Sequence, residues 1–445
     1  MEDRILIAEI SESQQNVVLA GRVVAVRRMK SYSFIDVADA SGKIQGIIPA
    51  GDDITVPVVG DVILVKGSST LTKSGQLSVE CHLIETLAPG NSDVANAYKN
   101  KAINSAKETH SERSLRLMVD EDLKKMVKAR SLFHALIREH FIVNGFMEVD
   151  TPTLSYSHFA GTANIFETKS RTLERNLYLR GTLEDYLKQL VVAGFEKVFE
   201  IGDCFRNESP ALIEFTMLEA TWAYARSEQM LALIQSLITI LCERLPDELV
   251  DRDMKQAFSQ KIEVKSFWGV LEEYFGSDIR QFDMEKLSVL TKKEGYSFGH
   301  SDNHEYELAK FGYDIIKRKL SKEFVAPTFV GRFPDVISPL AKGFHDGTGE
   351  ADRGYGFFKG QRLFEVVEES SDYQEQLIKF QSQEDRAVGN GRTFKHDDLL
   401  VSLGYGCPPM AGLGFNINRV LAVLLGVTRT SDIMAFPLTS SALPL

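Results

Sequence analysis

Residues 17–87 alternate between apolar and polar side chains in short stretches rich in β-branched residues. A period of two predicts half-buried strands, and turns at Ser41-Gly42 and Ser74-Gly75 separate some of them. The predicted strands are Val17–Val26, Ser33–Val37, Ile44–Ile48, Asp61–Gly67 and Leu77–Glu80. Five short strands with glycine-containing turns favour a small Greek-key barrel, which we assign to residues 1–88.

The pattern changes after residue 88. Residues 89–114 begin at Pro89-Gly90 and are rich in Asn, Ser, Lys and Ala, which predicts a partly helical linker. Residues 132–141 carry apolar side chains at helical spacing, and residues 226–320 are mostly helical by the same criterion. We therefore predict one α+β domain over residues 115–445, built on an antiparallel sheet, with residues 226–320 as a helical insertion.

The composition excludes some classes of protein but does not indicate a function. The chain has 445 residues, 44% of them apolar, and a net charge of −11, which disfavours nucleic-acid binding by the whole surface. No apolar run reaches the roughly 18 residues of a membrane span, and the start Met1-Glu2-Asp3-Arg4 does not resemble a signal peptide. Cys81, Cys204, Cys242 and Cys407 lack metal-ligand spacing. We expect a cytoplasmic protein with reduced thiols and no membrane partner.

The run Phe205-Arg206-Asn207-Glu208, followed by Glu214-Phe215-Thr216-Met217-Leu218-Glu219, carries the clearest chemistry. We predict a β-hairpin here. An arginine fork can hold a phosphate at two points, a phenylalanine on the next strand can cover a purine, and carboxylates can accept from an amine. Together these groups would bind ATP beside an amino acid. A charged, half-buried hairpin without any ligand is the alternative interpretation.

Three segments, in order, resemble the motifs of class II aminoacyl-tRNA synthetases, and the similarity is closest to the class IIb lysyl enzymes. Residues 128–154 resemble motif 1, with Gly145-Phe146-Met147-Glu148-Val149 before Thr151-Pro152-Thr153. Residues 176–219 resemble motif 2, and residues 412–437 resemble motif 3, with Gly412-Leu413-Gly414-Phe415-Asn416-Ile417-Asn418-Arg419. The resemblance implies an N-terminal OB-fold barrel that binds the tRNA anticodon, followed by a class II catalytic domain.

The resemblance also implies roles for the residues around ATP. Arg206 would hold the α-phosphate and the amino-acid carboxylate, and Arg419 would contact the γ-phosphate, so these two are the predicted catalytic residues. Phe215 would stack on the adenine, and Glu208 would lie near it. Arg419 could instead be a helix-start arginine paired with a carboxylate.

The resemblance also implies that Glu184 and Glu369 form the amino-acid site, and two carboxylates there would offset the several kcal/mol that an unpaired buried ammonium costs. Gly161 matches a loop that closes over the substrate. Glu365 stands where the family has an asparagine near the substrate carboxylate, which a glutamate would repel. The alternatives are that Glu184 is an ordinary surface charge and that the register through Asp372 excludes Glu369.

By the same resemblance, the barrel would read the central uridine of an anticodon. Phe34 would stack on that base, Gln45 would hydrogen-bond its edge, and Arg22 would add positive charge. Judged from the residues alone, Phe34 would more often belong to the barrel core, with Gln45 merely exposed.

Several positions depart from the family pattern. The motif 2 loop is only Ser209–Ile213 and has no histidine. Tyr355 and Arg362 stand at the positions of two magnesium-binding glutamates, so Mg²⁺ is in doubt as a cofactor beside ATP. An arginine supplies charge but cannot bridge phosphate oxygens as a metal does. If the alignment around residues 355–369 is shifted, one of the three glutamates Glu365, Glu368 and Glu369 could instead serve as a metal ligand. The remaining departures are Thr221 for a tyrosine, Asn416 for a glycine and Asn418 for an aspartate.

Three functions stay open. The first is a divergent lysyl-tRNA synthetase-like enzyme that activates lysine or a similar amine-bearing acid with ATP and transfers it to tRNA. The second is a ligase that passes the adenylate to a different acceptor. The third is a pseudo-synthetase that binds tRNA or an amino acid without chemistry. In each case we expect a homodimer through motif 1; the apolar stripe could instead be core, and both interpretations can hold together.

Overall fold

The computed structural model describes residues 3–51, 53–100, 110–156, 164–208, 213–297, 303–389 and 397–438. These residues form two compact units that join between Lys124 and Lys125. The predicted boundaries at residues 88 and 115 stay predictions. No helix in the described ranges is long and apolar enough to cross a membrane.

The first unit contains the Greek-key barrel, as predicted. Its strands are β1 Val17–Arg28, β2 Tyr32–Ala38, β3 Lys43–Pro49, β4 Val62–Leu71 and β5 Leu77–Ala88. They close in the order β1-β2-β3-β5-β4, with β3 parallel to β5 and the other pairs antiparallel. Val23, Ile35, Ile63 and Val79 are fully buried inside the barrel. Two helices follow, α1 Ser92–Asn100 and α2 His110–Val119.

The second unit is α+β. Its strands are β6 Met147–Glu148, β7 Leu154–Ser155, β8 Glu167–Ser170, β9 Arg175–Leu179, β10 Lys197–Phe205, β11 Glu214–Ala223, β12 Glu263–Ser266, β13 Thr328–Gly331, β14 Phe333–Pro334, β15 Glu350–Ala351, β16 Arg353–Phe358, β17 Gln361–Glu369 and β18 Met410–Asn416. The helices, starting with the one that crosses the junction, are α3 Glu121–Val143, α4 Glu184–Val192, α5 Ser227–Arg244, α6 Arg252–Phe258, α7 Phe267–Phe275, α8 Met284–Lys293, α9 His304–Arg318, α10 Tyr373–Gly389, α11 Asp397–Leu403 and α12 Ile417–Leu424.

The main sheet has the order β12-β13-β16-β17-β18-β11-β10-β6. Its centre is antiparallel, as predicted, but each edge adds a parallel pair, β6 with β10 and β12 with β13. Strand β12 lies inside the predicted helical insertion, which is otherwise helical through α5–α9. Four residues directly before a helix are too few to show an alternating pattern, so this strand was not predicted.

The apolar stripe of α3 packs against its own chain. Phe133, Ile137 and Phe141 are fully buried in the cluster that also contains Phe199 of β10. His140 is buried too, with its Nε2 3.2 Å from the carbonyl oxygen of Leu233. The side chains of Phe133, Ile137 and Phe141 therefore belong to the core of the protomer, and the homodimer through motif 1 stays a prediction.

Candidate active site

A cavity of about 750 Å³ in the second unit brings most of the predicted site residues together. The predicted residues in its lining are Glu184, Arg206, Glu208, Phe215, Tyr355, Arg362, Glu365, Glu369 and Arg419. The two arginines predicted to be catalytic therefore face one space, although 213 positions separate them (419 minus 206). Gly161 and most of the motif 2 loop lie outside the described residues.

The predicted hairpin presents Arg206 at the end of β10. Phe205 pairs with Glu214 and Cys204 with Phe215, so Arg206 lies beside the ring of the opposite strand. The Arg206 guanidinium donates to the Gly181 carbonyl at 3.2 and 3.3 Å, and its carbon lies 5.3 Å from the Phe215 ring centre. Only 6% of the Phe215 side chain is exposed, so less of its ring is accessible than in an aromatic side chain on the protein surface. Arg206 makes no ion pair with a described carboxylate.

Arg419 reaches the cavity from the first turn of α12. The Asn416 side chain caps this helix by accepting from the Arg419 backbone N–H at 2.9 Å, which gives a physical role to the residue replacing the family glycine. The guanidinium donates to the Arg362 carbonyl at 3.2 Å and has no carboxylate partner within the described ranges. The alternative of a helix-start ion pair is therefore not what the structure contains. Burial, together with the charges of Arg362 and Arg206, lowers the pKa of Arg419 to about 10.

Arg130 of α3, which was not among the predicted site residues, connects the segments that resemble motifs 1, 2 and 3. Its guanidinium donates to Asn418 Oδ1 at 2.7 Å and to Thr216 Oγ1 at 2.8 Å. Thr216 in turn donates to Asp203 at 2.7 Å. The amide oxygen of Asn418 thus serves as acceptor where the family has an aspartate. No local pattern marks Arg130, because its partners lie 86 and 288 positions away.

Arg180 is a second positioning residue that the sequence did not reveal. It forms a buried ion pair with Glu200 of β10 at 2.6 Å and donates to the Thr151 carbonyl at 3.0 Å, which attaches the motif 1 segment between β6 and β7 to β10. A side chain at Gly202 would collide with this pair, since an added Cβ would lie 2.3 Å from Arg180 Nη2. The Arg180–Glu200 ion pair thus helps to fix the position of β10, the first strand of the motif 2 hairpin.

At the acidic end of the cavity, Lys188 lies between the two carboxylates predicted to hold a substrate amine. Its Nζ is 2.6 Å from Glu184 Oε1 and 2.8 Å from Glu369 Oε2, and its side chain is 4% exposed. The predicted carboxylate pair thus already neutralises an internal ammonium. Glu369 Oε1 is buried and has no hydrogen-bond partner among the described residues. The spacing Glu184–Lys188, one helical turn, was the only sequence signal for this contact.

Glu219 is a third carboxylate at this end of the cavity, and it was not among the predicted amino-acid-binding residues. It lines the cavity and accepts from Thr182 Oγ1 at 3.1 Å and from the Leu183 N–H at 3.2 Å. Burial, followed by the charge of Glu184, raises the pKa of Glu219 to about 8. Burial likewise raises the pKa of Glu369 to about 7, although Lys188 opposes the shift. This end of the cavity has more acidic groups than cations.

Glu365 is neutralised in the folded chain. Its Oε1 accepts from Arg353 Nε at 2.7 Å, so the expected repulsion of a substrate carboxylate is largely offset. Glu208 lies at the exposed rim, where its carboxylate accepts from the backbone N–H of Asn164 at 3.0 Å.

The two positions predicted to correspond to the family's metal ligands do not fit a magnesium ion. Tyr355 and Arg362 offer a phenol and a guanidinium where a hard cation needs carboxylate oxygens. The alternative ligands are engaged: Glu365 with Arg353, Glu368 with Lys342 at 2.6 Å, and Glu369 with Lys188. In the described part of the chain, no group of three His, Cys, Asp or Glu residues could hold a metal.

The barrel residues predicted to read an anticodon occupy different environments. Phe34 is half-buried and lies outside the barrel core, opposite Arg27 of β1. Gln45 is 8% exposed, and its side-chain oxygen accepts from the Ser78 hydroxyl at 3.2 Å. It is therefore a buried polar residue, not the exposed side chain of the alternative interpretation. Arg22 donates to the Gly60 carbonyl at 2.7 Å and pairs with Ala38, four residues from Phe34 along β2. Arg27, rather than Arg22, is therefore the arginine beside Phe34.

Comparison with known proteins gives consistent matches for both units. Residues 105–440 match the family described as tRNA synthetases class II (D, K and N), and residues 17–87 match the OB-fold nucleic acid binding domain. Relatives include a lysine–tRNA ligase of Methanospirillum hungatei, 32% identical over 447 residues that cover 96% of this chain and 86% of that protein. The lysine–tRNA ligase of Deinococcus radiodurans is 33% identical over 444 residues, covering 96% and 82%. That of Blochmanniella pennsylvanica is 29% identical over 451 residues, covering 96% and 87%.

Proposed function

Because the chain belongs to the class II tRNA synthetases (D, K and N), we propose that it activates lysine or a similar amine-bearing amino acid with ATP and transfers it to tRNA. The observation that carries this proposal is the shared cavity. One part of it presents guanidinium groups that have no carboxylate partner among the described residues, which suits a triphosphate, and the other part presents an excess of carboxylates, which suits an amine.

The residues of the cavity have separate tasks in this reaction. An oxygen of the amino-acid carboxylate attacks the α-phosphorus of ATP, and the bond from that phosphorus to the bridging oxygen breaks, so pyrophosphate leaves with the electron pair. Arg206 neutralises the charge at the attacked phosphate, and Arg419 neutralises the leaving pyrophosphate. Positioning by Arg130 and Arg180 keeps these groups in place before ATP arrives.

The barrel supports tRNA as the acceptor. Phe34 offers a half-buried ring outside the core on which an unpaired base can stack. Arg27 beside it and Lys43 share one carboxylate, that of Asp36, at 3.2 and 3.6 Å, so the two cations leave a net positive charge there. The bound adenylate would then lose AMP when a ribose hydroxyl of the tRNA attacks its carbonyl carbon.

The test is amino-acid-dependent exchange of labelled pyrophosphate into ATP, followed by charging of total tRNA. We expect exchange with lysine or another amine-bearing acid, and charging that Phe34→Ala weakens without changing exchange. Exchange without charging would favour the ligase with another acceptor, consistent with the short motif 2 loop. Absence of exchange with every amino acid would overturn the proposal and favour the pseudo-synthetase.

Amino-acid binding is expected to strengthen as pH rises from 6 to 8. At pH 6 the raised pKa values, about 8 for Glu219 and about 7 for Glu369, keep both groups largely neutral. Of the three carboxyl groups, Glu184 then balances the internal Lys188, and the other two cannot balance a substrate ammonium. Both ionise as pH rises, and the KM for lysine at saturating ATP should fall at least about tenfold. Glu219→Gln should remove the upper part of this change. A KM that stays constant or rises with pH would contradict the assignment.

A homodimer remains part of the proposal, through motif 1 residues other than the buried stripe. Ile142, Val143 and Met147 are 57%, 77% and 42% exposed, and Met147 lies on edge strand β6. An apolar patch beside a sheet edge suits an isologous contact. Light scattering measures the mass directly, and a monomer at micromolar concentration would exclude this contact.

A further inference from the structure

Arg362, at one of the family's metal positions, is held rigidly by two aromatic residues. Its Nη1 donates to the Tyr313 hydroxyl at 2.7 Å, and its guanidinium carbon lies 4.6 Å from the Tyr355 ring centre. The Tyr313 and Tyr355 rings are themselves stacked, with centres 5.4 Å apart. A guanidinium fixed in this way loses little further freedom when it binds an anion.

The charge of Arg362 has no ion-pair partner among the described residues. The nearby Glu365 is paired with Arg353 instead. Arg362, Arg206 and Arg419 all line the cavity, and the Arg419 guanidinium contacts the Arg362 carbonyl. These three guanidinium groups have no carboxylate partner in the described part of the chain and repel one another, so a multiply charged anion between them would relieve that repulsion.

Helix α9, from the helical insertion, extends this positive surface. Tyr306, Lys310, Tyr313 and Lys317 follow the spacing of one helical face, and all four line the cavity. The helix that fixes Arg362 through Tyr313 thus also adds two exposed ammonium groups.

We propose that Arg362 takes the place of a divalent cation at the β- and γ-phosphates, so that this chain binds ATP with little dependence on Mg²⁺. This inference rests on the proposed function, because it requires that the cavity binds ATP. Arg362 donates hydrogen bonds to phosphate oxygens that a metal held by glutamates would otherwise coordinate. Tyr355, in the other metal position, serves as the surface against which the guanidinium lies.

Calorimetric titration of the full chain with ATP, in EDTA and in MgCl₂, tests the inference. We expect dissociation constants within about threefold of each other in the two conditions. In EDTA, Arg362→Ala should weaken ATP binding about ten- to a hundredfold but change AMP binding less than about twofold, because AMP lacks the β- and γ-phosphates. Arg318→Ala, which removes an exposed arginine of α9 paired with Asp314, is the matched control and should change neither.

The double variant Tyr355→Glu, Arg362→Glu restores the family's carboxylates and should make ATP binding depend on Mg²⁺ by at least about tenfold. Wild-type binding that requires Mg²⁺ and is unchanged by Arg362→Ala would overturn the inference while leaving the proposed function intact. Absence of ATP binding under both conditions would overturn both. An equal loss of AMP and ATP affinity in Arg362→Ala would identify Arg362 as a merely structural residue and also overturn the inference.

Discussion

Replacing Arg206 with alanine is expected to reduce pyrophosphate exchange by about a hundred- to a thousandfold. Arg206 directly follows β10 and lines the cavity, and its only described hydrogen-bond acceptor is the Gly181 carbonyl. Because no described carboxylate neutralises it, its charge is available to a phosphate that gains negative charge as the reaction proceeds. Alanine removes both the charge and the two-point donor geometry.

Two variants make this result interpretable. Arg206→Lys keeps the charge without the planar fork and should recover only part of the rate. Arg244→Ala removes an exposed arginine that pairs with Glu139 at 2.7 Å, and it should leave exchange unchanged. The Arg206→Ala protein should keep the wild-type mass in light scattering. Full exchange by Arg206→Ala would remove this residue from the mechanism.

Replacing Lys188 with methionine is expected to lower the free energy of unfolding by about 3–5 kcal/mol at pH 8.5. Burial alone would lower the pKa of Lys188, but Glu184 and Glu369 together raise it, so the wild-type residue stays charged. Without it, buried Glu369 must either remain ionised without a partner or bind a proton. The pKa of Glu369 is already raised, so it takes up this proton more easily at low pH. The loss should therefore be smaller at pH 6 and grow as pH rises above 7.

Urea denaturation at both pH values measures this effect. Adding Glu369→Gln to Lys188→Met should recover part of the stability at pH 8.5, because it removes the uncompensated charge. Lys124→Met, which breaks an exposed contact with Glu121 at 2.7 Å, should cost less than about 1 kcal/mol at either pH. A loss that is the same at pH 6 and pH 8.5 would show that Lys188 contributes through packing instead of charge.

Local patterns predicted those parts of the site that depend on neighbouring residues. The motif 2 hairpin was predicted from the two neighbouring runs 205–208 and 214–219, and the pairing of Phe205 with Glu214 puts Arg206 directly after β10. The barrel likewise follows from short alternating strands and glycine-containing turns. Asn416 is a residue type that caps helices, so its place before α12 has a local explanation once the helix is known.

Contacts between distant segments could not be predicted in the same way. Arg130 and Asn418 are 288 positions apart, and Glu369 meets Lys188 only because β17 and α4 adjoin the same cavity. The neutralisation of Glu365 by Arg353 depends on the pairing of β16 with β17, whose register shifts at a bulge near Gly356. In each case the sequence shows that a charged residue is present. Which group neutralises that charge, however, depends on the tertiary structure.

The central claim is that Arg206 and Arg419 act on a single ATP molecule. A crystal structure with lysine and a non-hydrolysable ATP analogue tests it most directly. We expect the triphosphate inside the cavity, with Arg206 at the α-phosphate and Arg419 at the γ-phosphate, each at a hydrogen-bond distance of about 3 Å. A nucleotide bound outside the cavity, or a triphosphate in contact with only one of the two guanidinium groups, would contradict the claim.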